Sequence, residues 1–169
     1  MNKTQEFIIM IRDCEGILYK ISRIYSEDMI DRQDLYQDIV YQLWKSFNSF
    51  KGDAKLSTWV YRVALNTAIS HLDKSGKRKN KFPINEDIFN RFEESDHLMD
   101  DRVEALYKQI KKLDLIEKGV ILLYLDGKSY EEIAVITGFS VTNVGTRLNR
   151  IKNKLRDQQA GPFKNSVYT

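Results

Sequence analysis

The chain has 169 residues, enough for one domain of ordinary size or two small ones. Its net charge of +3 is too small to indicate a nucleic-acid or membrane partner, so the distribution of charge has to carry that argument. The single cysteine, Cys14, excludes an internal disulfide. There is no apolar run of the ~20 residues that span a bilayer and no signal-peptide core at the start, so we expect a soluble, cytoplasmic protein.

Apolar residues recur every three or four positions through the first part of the chain, which predicts three amphipathic helices. The first covers roughly residues 3–25 and should bury Cys14 as a structural thiol. The second covers roughly residues 32–49. The third begins near Ser57, a good N-cap residue, and ends near residue 74. No segment has a strand pattern, so we expect an all-α fold.

The charge composition then changes twice. Residues 74–81 are basic, whereas the following segment carries seven acidic residues and one arginine. Such a segment is typical of a linker between two helical domains. The predicted organisation is a helical domain at 1–81, an acidic linker at 82–101, a second helical domain at 102–157 and a tail at 158–169. Apolar residues within the linker would also allow a short docked helix, so a flexible and a docked linker both stay open.

The second domain has the pattern of a helix-turn-helix. A buried helix over residues 117–125 ends at Gly127, which suits a left-handed cap. Ser129 with Glu132 forms a capping box for the next helix, Gly138 suits the turn, and Ser140 can cap the last helix. That last helix places apolar residues on one face at spacings of three and four: Val141, Val144, Leu148, Ile151 and Leu155.

The opposite face of the last helix is rich in hydrogen-bond donors that suit base edges and phosphates. We expect the contacts to come from Thr142, Asn143, Thr146, Arg147, Arg150 and Lys154. Residues 128–156 hold six basic and two acidic side chains, and five of the basic ones lie on this helix. A helical hairpin with a solvated basic face is the simpler alternative, but the combination of caps, turn glycine and one-sided charge favours binding to duplex DNA.

Three blocks of the sequence resemble one protein family. The motifs are Tyr130-Glu-Glu-Ile-Ala134 with Gly138, Ser140, Val144 and Thr146-Arg147-Leu148; Asp34-x-x-Gln37-Asp38; and residues 49–53 with 57–66. They are similar, in order and spacing, to the bacterial sigma factors of the sigma-70 family, extracytoplasmic-function (ECF) group. The resemblance implies a subunit that binds core RNA polymerase, directs it to promoters and helps to melt the minus-ten region. It implies no enzymatic activity, no cofactor and no small-molecule substrate.

The resemblance assigns one task to each block. Asp34, Gln37 and Asp38, which helical periodicity places outward, would bind polymerase. The loop and helix after residue 50 would hold the unstacked minus-ten strand through Lys51, Asp53, Lys55, Trp59, Arg62 and Asn66. Charge, a bend at Gly52 and an amide for a base edge fit that task. Trp59 could equally be a core residue, whereas Trp44 is expected in the core. We expect His71 to be a neutral surface residue, with a phosphate contact as the alternative.

The chain departs from the family pattern at two positions. The usual Leu-Pro before the last helices is Leu113-Asp114, and Gly145 stands where the family often has a basic residue. The glycine costs about 1 kcal/mol of helix propensity and one possible DNA contact. We therefore do not predict the minus-thirty-five DNA sequence that this chain would recognise from the sequences that the family recognises.

Further partners and alternatives follow from the same reasoning. The family implies an anti-sigma protein, often membrane-bound, that hides both DNA-binding faces. A stand-alone helix-turn-helix regulator is the main alternative, but it leaves the block from Asp34 to Asn66 unexplained. An enzyme using Asp34 and Asp38 with a metal is a third possibility, for which no ligand set is visible.

Overall fold

The computed structural model describes residues 1–73 and 101–159, and their regular structure is entirely helical. This confirms the predicted all-α fold class. The helices are α1 (Lys3–Ile24), α2 (Met29–Ser46), α3 (Leu56–Asp73), α4 (Asp101–Ile110), α5 (Leu115–Leu125), α6 (Tyr130–Thr137) and α7 (Val141–Gln159), with a 3-10 turn at Phe47–Ser49. The basic run of residues 74–81, the acidic segment up to residue 100 and residues 160–169 lie outside the described residues. No helix in the described ranges is long and apolar enough to cross a membrane.

The chain divides into two compact units, Met1–Met99 and Asp100–Thr169. In the first unit, α1, α2 and α3 all pack against one another. Their shared core consists of side chains that are almost completely buried, among them Leu18, Ile21, Leu35, Ile39, Val60, Ala64 and Ala68. The alanines of α3 are small, so the neighbouring helices can approach its backbone closely. Cys14 is buried as predicted, and burial raises the pKa of its thiol.

Capping decides where the helices of the first unit begin. Asn2 and Gln5 form a reciprocal capping box at the start of α1. The Asp28 carboxylate accepts from the Asp31 backbone N–H at 2.8 Å, so α2 begins three residues earlier than predicted. Ser57 is not the N-cap of α3, because the helix has already begun at Leu56.

The second unit is built from α4 to α7, and α7 contacts each of the other three helices. Asp114 starts α5 with a reciprocal capping box: its carboxylate accepts from the Glu117 N–H at 2.8 Å, and Glu117 accepts from the Asp114 N–H at 3.2 Å. Gly127 follows α5 with a φ of +82°, as its place in the sequence predicted.

The helix-turn-helix also forms as the sequence predicted. Ser129 Oγ accepts from the Glu132 N–H at 3.1 Å and so caps α6. This is only one half of the predicted capping box, because the Glu132 carboxylate lies 3.8 Å from Lys128 Nζ instead of completing it. Gly138 ends α6 in the left-handed region at a φ of +82°. Ser140 Oγ then accepts from the Asn143 N–H at 3.1 Å, which starts α7. These local contacts end α6 and start α7.

Candidate nucleic-acid interface

Helix α7 has a buried face and an exposed face. Val144, Leu148, Ile151 and Leu155 are buried, as the spacing predicted. Val141 is an exception: it is 43% exposed, because it is the first residue of the helix and lies at the edge of the packed surface. The exposed face carries polar and basic side chains, and it is the surface that the sequence predicted to bind DNA.

Five of the six predicted contact residues on α7 line one shallow groove. Its walls are Ser140, Thr142, Asn143, Thr146, Arg147 and Arg150. Ser140 was predicted only as a cap, and its place in the groove follows from the turn that leads into the helix. The groove therefore joins hydroxyl, amide and guanidinium groups on one surface, which is the donor set that suits base edges and phosphates.

Arg147 is held in place within this groove. Its Nε donates to Asn143 Oδ1 at 2.6 Å, and its guanidinium carbon lies 4.2 Å from the centroid of the Phe139 ring. The stacked ring and the hydrogen bond restrict the rotamers of a side chain that would otherwise be flexible. The terminal amino groups of Arg147 then supply its remaining donors. Sequence reasoning did not find the role of Phe139, although an aromatic residue in the turn was a visible signal.

The predicted contact residue Lys154 lies elsewhere. Its Nζ donates to Glu117 Oε1 of α5, a carboxylate side chain that is only 11% exposed. Lys152 behaves similarly, since its Nζ donates to the Tyr124 hydroxyl at 3.1 Å. Four of the five basic residues of α7 therefore divide into two groups. Arg147 and Arg150 line the groove, whereas the two lysines attach α7 to α5.

Gly145 faces α6. A β-carbon at this position would lie 3.5 Å from Cε2 of Tyr130, an ordinary van der Waals distance. The first part of any side chain here would thus contact the Tyr130 ring. The space itself does not require glycine.

The first unit presents a second candidate surface, on α3 and the loop before it. Lys51, Asp53 and Lys55 are exposed in this loop, where Gly52 has a φ of +80°. Arg62 and Asn66 are exposed on α3, one turn apart. The structure therefore presents all five of these predicted residues to solvent.

The two tryptophans lie at the edges of the first unit's core. Trp59 is partly exposed and packs on Phe50, with ring centroids 5.0 Å apart. It lies three residues before Arg62, on the same side of α3. Trp44, expected in the core, is also partly exposed; it packs edge-on against Phe7 at 5.0 Å, with Lys3 Nζ 4.7 Å from its ring centroid. Trp59 thus combines a packed side with an accessible one.

The predicted polymerase-binding residues are only partly exposed. Gln37 and Asp38 are partly exposed, but Asp34 is buried, with 6% exposure, so its predicted outward position is wrong. The reason is that α2 packs against both α1 and α3 and therefore buries a wider arc than one apolar stripe.

The structure does not place His71 on the surface, where the sequence predicted a neutral residue. Its side chain is 13% exposed and lies between two carboxylates of α2: Nδ1 is 2.7 Å from Asp38 Oδ2, and Nε2 is 3.1 Å from Asp31 Oδ1. The hydrogen bond to Asp38 raises the pKa of His71 most, and the bond to Asp31 adds to it, against an opposing effect of burial. Within residues 1–73 and 101–159 no group of three or more histidine, cysteine, aspartate or glutamate side chains could hold a metal ion.

Two family models match the chain. Sigma-70 region 2 matches residues 10–78, and sigma-70 region 4 matches residues 103–155. The two matches together span most of the sequence, in the order in which the regions are numbered. They contain the α3 surface and the α7 groove respectively.

Curated relatives and solved structures agree with these matches. The chain is 28% identical over 145 residues to the ECF RNA polymerase sigma-E factor of Escherichia coli K12, covering 79% of this chain and 75% of the relative. It is 28% identical over 147 residues to the RNA polymerase sigma-H factor of Pseudomonas aeruginosa, covering 78% and 74%.

The fold is similar to CnrH in its complex with the cytosolic domain of CnrY, with a TM-score of 0.67, 23% identity and 95% and 92% coverage. It is also similar to the sigma factor RpoE of Bartonella quintana bound to the anti-sigma factor NepR, with a TM-score of 0.64, 19% identity and 94% and 97% coverage.

Proposed function

The chain belongs to the sigma-70 family, in its extracytoplasmic-function group, and we propose that it binds core RNA polymerase in the cytoplasm and directs it to specific promoters. The observation that carries this proposal is the match of two sigma regions, in order, to the two units that present the two candidate DNA surfaces. The protein would act by binding alone, without bond-making chemistry of its own.

The α7 groove would be the upstream anchor on duplex DNA. An α-helix fits the major groove, which is about 12 Å wide. Arg147, already ordered by Asn143 and Phe139, would read a base edge, whereas Arg150 would contact a base or a phosphate. Lys154 would contribute indirectly, by fixing α7 on α5.

The α3 surface would capture the unstacked minus-ten strand. Lys51 and Lys55 would neutralise its phosphates, and the accessible side of Trp59 offers a surface for stacking. Arg62 and Asn66 lie one turn apart on the same exposed face, where a guanidinium and an amide can hold a phosphate and a base edge together. Asp53 lies in the same loop, where its carboxylate can accept from an exocyclic amine of a flipped base.

Gln37 and Asp38 would contact the polymerase from the exposed part of α2. An acidic residue here suits a basic partner surface. The buried Asp34 cannot be reached by a partner without rearrangement, so its part in polymerase binding would be indirect.

We also propose an anti-sigma protein as a regulator of this chain. Two solved structures with a similar fold are complexes. In one, the sigma factor RpoE is bound to the anti-sigma factor NepR, and in the other, CnrH is bound to the cytosolic domain of CnrY. A protein that covered both the α3 surface and the α7 groove would keep the chain from promoters until it was released.

Run-off transcription on genomic fragments, with core RNA polymerase and the purified chain, tests the function. Specific transcripts that depend on the chain are expected. Asn66→Ala should impair open-complex formation more than duplex binding, whereas Thr142→Ala in the groove should weaken duplex binding. Duplex binding without co-elution with core polymerase would instead identify a stand-alone regulator.

A further inference from the structure

A histidine bridge joins α2 to the last turn of α3. His71 hydrogen-bonds to Asp38 through Nδ1 and to Asp31 through Nε2. The histidine side chain is 13% exposed, whereas those of Asp31 and Asp38 are 28% and 43% exposed. The ring is thus nearly enclosed, while the two carboxylates remain partly accessible from solvent.

The geometry of the bridge sets its protonation state. An ionised carboxylate only accepts hydrogen bonds, and a neutral imidazole carries a single N–H. Because both ring nitrogens lie within hydrogen-bond distance of carboxylate oxygens, both bonds are satisfied together only by the imidazolium. The raised pKa of His71 agrees with this assignment.

Among the residues that the structure describes, the charged groups that act on the ring are acidic. Asp31 and Asp38 of α2 are the two that act on it directly, and Asp34 lies between them on the same helix, buried. The one arginine of α2, Arg32, donates to the Tyr19 hydroxyl of α1 at 3.0 Å and so is directed toward α1. A positive ring is therefore favoured by its surroundings.

We propose that His71 is a positioning residue for polymerase binding, whose imidazolium orients Asp38 so that Oδ2 is held within the bridge and Oδ1 accepts from a basic group of the polymerase. The inference rests on the proposed function, because it assigns a task to Asp38 that only a bound polymerase reveals. A neutral ring has one N–H, so it holds Asp38 only in the tautomer that is protonated at Nδ1 and releases it in the tautomer protonated at Nε2. Polymerase binding then has to order the Asp38 side chain, whereas the imidazolium holds that side chain in place before binding.

The test is the affinity of the full chain for core polymerase, measured across the pH range in which His71 titrates. Asparagine places its amide nitrogen near the position of Nδ1, and glutamine places it near Nε2. His71→Asn can therefore still donate to Asp38, whereas His71→Gln can donate only to Asp31, and neither variant titrates. The pair separates the orientation of Asp38 from the mere presence of a polar group.

Wild-type affinity should fall by up to about tenfold as pH rises through the pKa of His71, because ordering one side chain costs at most about that factor and the neutral ring still holds Asp38 in one tautomer. His71→Asn should bind without this pH dependence, near the wild-type affinity at low pH. His71→Gln should bind about two- to tenfold more weakly at every pH. In Asp31→Asn the neutral ring can still donate to Asp38, so the pH dependence should shrink while the affinity is kept. This variant tests the bridge without changing the histidine.

One result would overturn the positioning role of His71, and a different result would overturn the proposed function on which it rests. Equal affinities and one shared pH profile for the wild type and all three variants would refute the positioning role while leaving the proposed function intact. A wild-type chain that binds no polymerase at any pH would refute the proposed function itself.

Discussion

The two basic groups of α7 can be separated by one pair of substitutions, Lys154→Met and Arg150→Met. Lys154 donates to Glu117, whose side chain is 11% exposed, while the lysine itself is 53% exposed. Breaking a fully buried ion pair costs about 3–5 kcal/mol, and exposed pairs contribute about 0–1 kcal/mol. A pair with one buried and one half-exposed partner should lie between these limits, so we expect Lys154→Met to lower the free energy of unfolding by about 1–2 kcal/mol.

Arg150→Met is the matched control, because Arg150 is exposed in the groove and α7 keeps the same length and helix propensity. Urea unfolding of the full chain should show little change for Arg150→Met. Its holoenzyme should instead bind promoter fragments more weakly, with a salt dependence reduced by about one phosphate contact. If Lys154→Met reduced that salt dependence as much as Arg150→Met and left stability unchanged, the structural role of Lys154 would be refuted.

Three further predictions follow from single contacts. Gly145→Ala should stabilise the second unit by about 0.5–1 kcal/mol, because its β-carbon meets the Tyr130 ring at an ordinary distance; a loss of stability in thermal unfolding would contradict this. Arg147→Lys keeps the charge but loses the planar fork, so competition among promoter fragments should show about 1–3 kcal/mol less discrimination at one base pair; unchanged discrimination would exclude a base contact. The folded-state pKa of His71 is raised above 6.5, so its stabilisation is complete below that pH and is lost as pH rises through the folded value. The urea midpoint of the first unit should therefore fall with rising pH in the wild type but not in His71→Asn.

The helices and turns were predictable from sequence because their causes are local. The spacing of Val144, Leu148 and Ile151 determines which face of α7 is buried, and the structure buries all three. Gly138 and Ser140 act within a few residues of their own positions, one as a left-handed C-cap and the other as an N-cap. The exposed groove is the remaining face of the same helix, so most of its residues could be predicted as well.

Contacts between distant parts of the chain could not be predicted in this way. His71 is 33 residues from Asp38, and Lys154 is 37 residues from Glu117. A single sequence shows that these groups are charged, but not that packing brings them together. The predicted outward position of Asp34 was wrong for a related reason, since the wide buried arc of α2 depends on two neighbouring helices. Local patterns therefore identified the surfaces, and the contacts between helices decided which charged residues remain on them.

Leu113-Asp114 stands where the resemblance implies Leu-Pro. Asp114 contacts Glu117 at the start of α5, and Glu117 in turn contacts Lys154 of α7. The Asp114 carboxylate caps the helix, while the Glu117 carboxylate accepts from both the Asp114 N–H and Lys154 Nζ. Loss of the cap in Asp114→Ala should cost about 0.5–2 kcal/mol. Because Glu117 takes part in both contacts, the combined variant with Lys154→Met should be non-additive by about 0.5 kcal/mol or more in a double-mutant cycle. Strict additivity would mean that the cap and the ion pair stabilise α5 independently, and Asp114 would then have no part in placing α7.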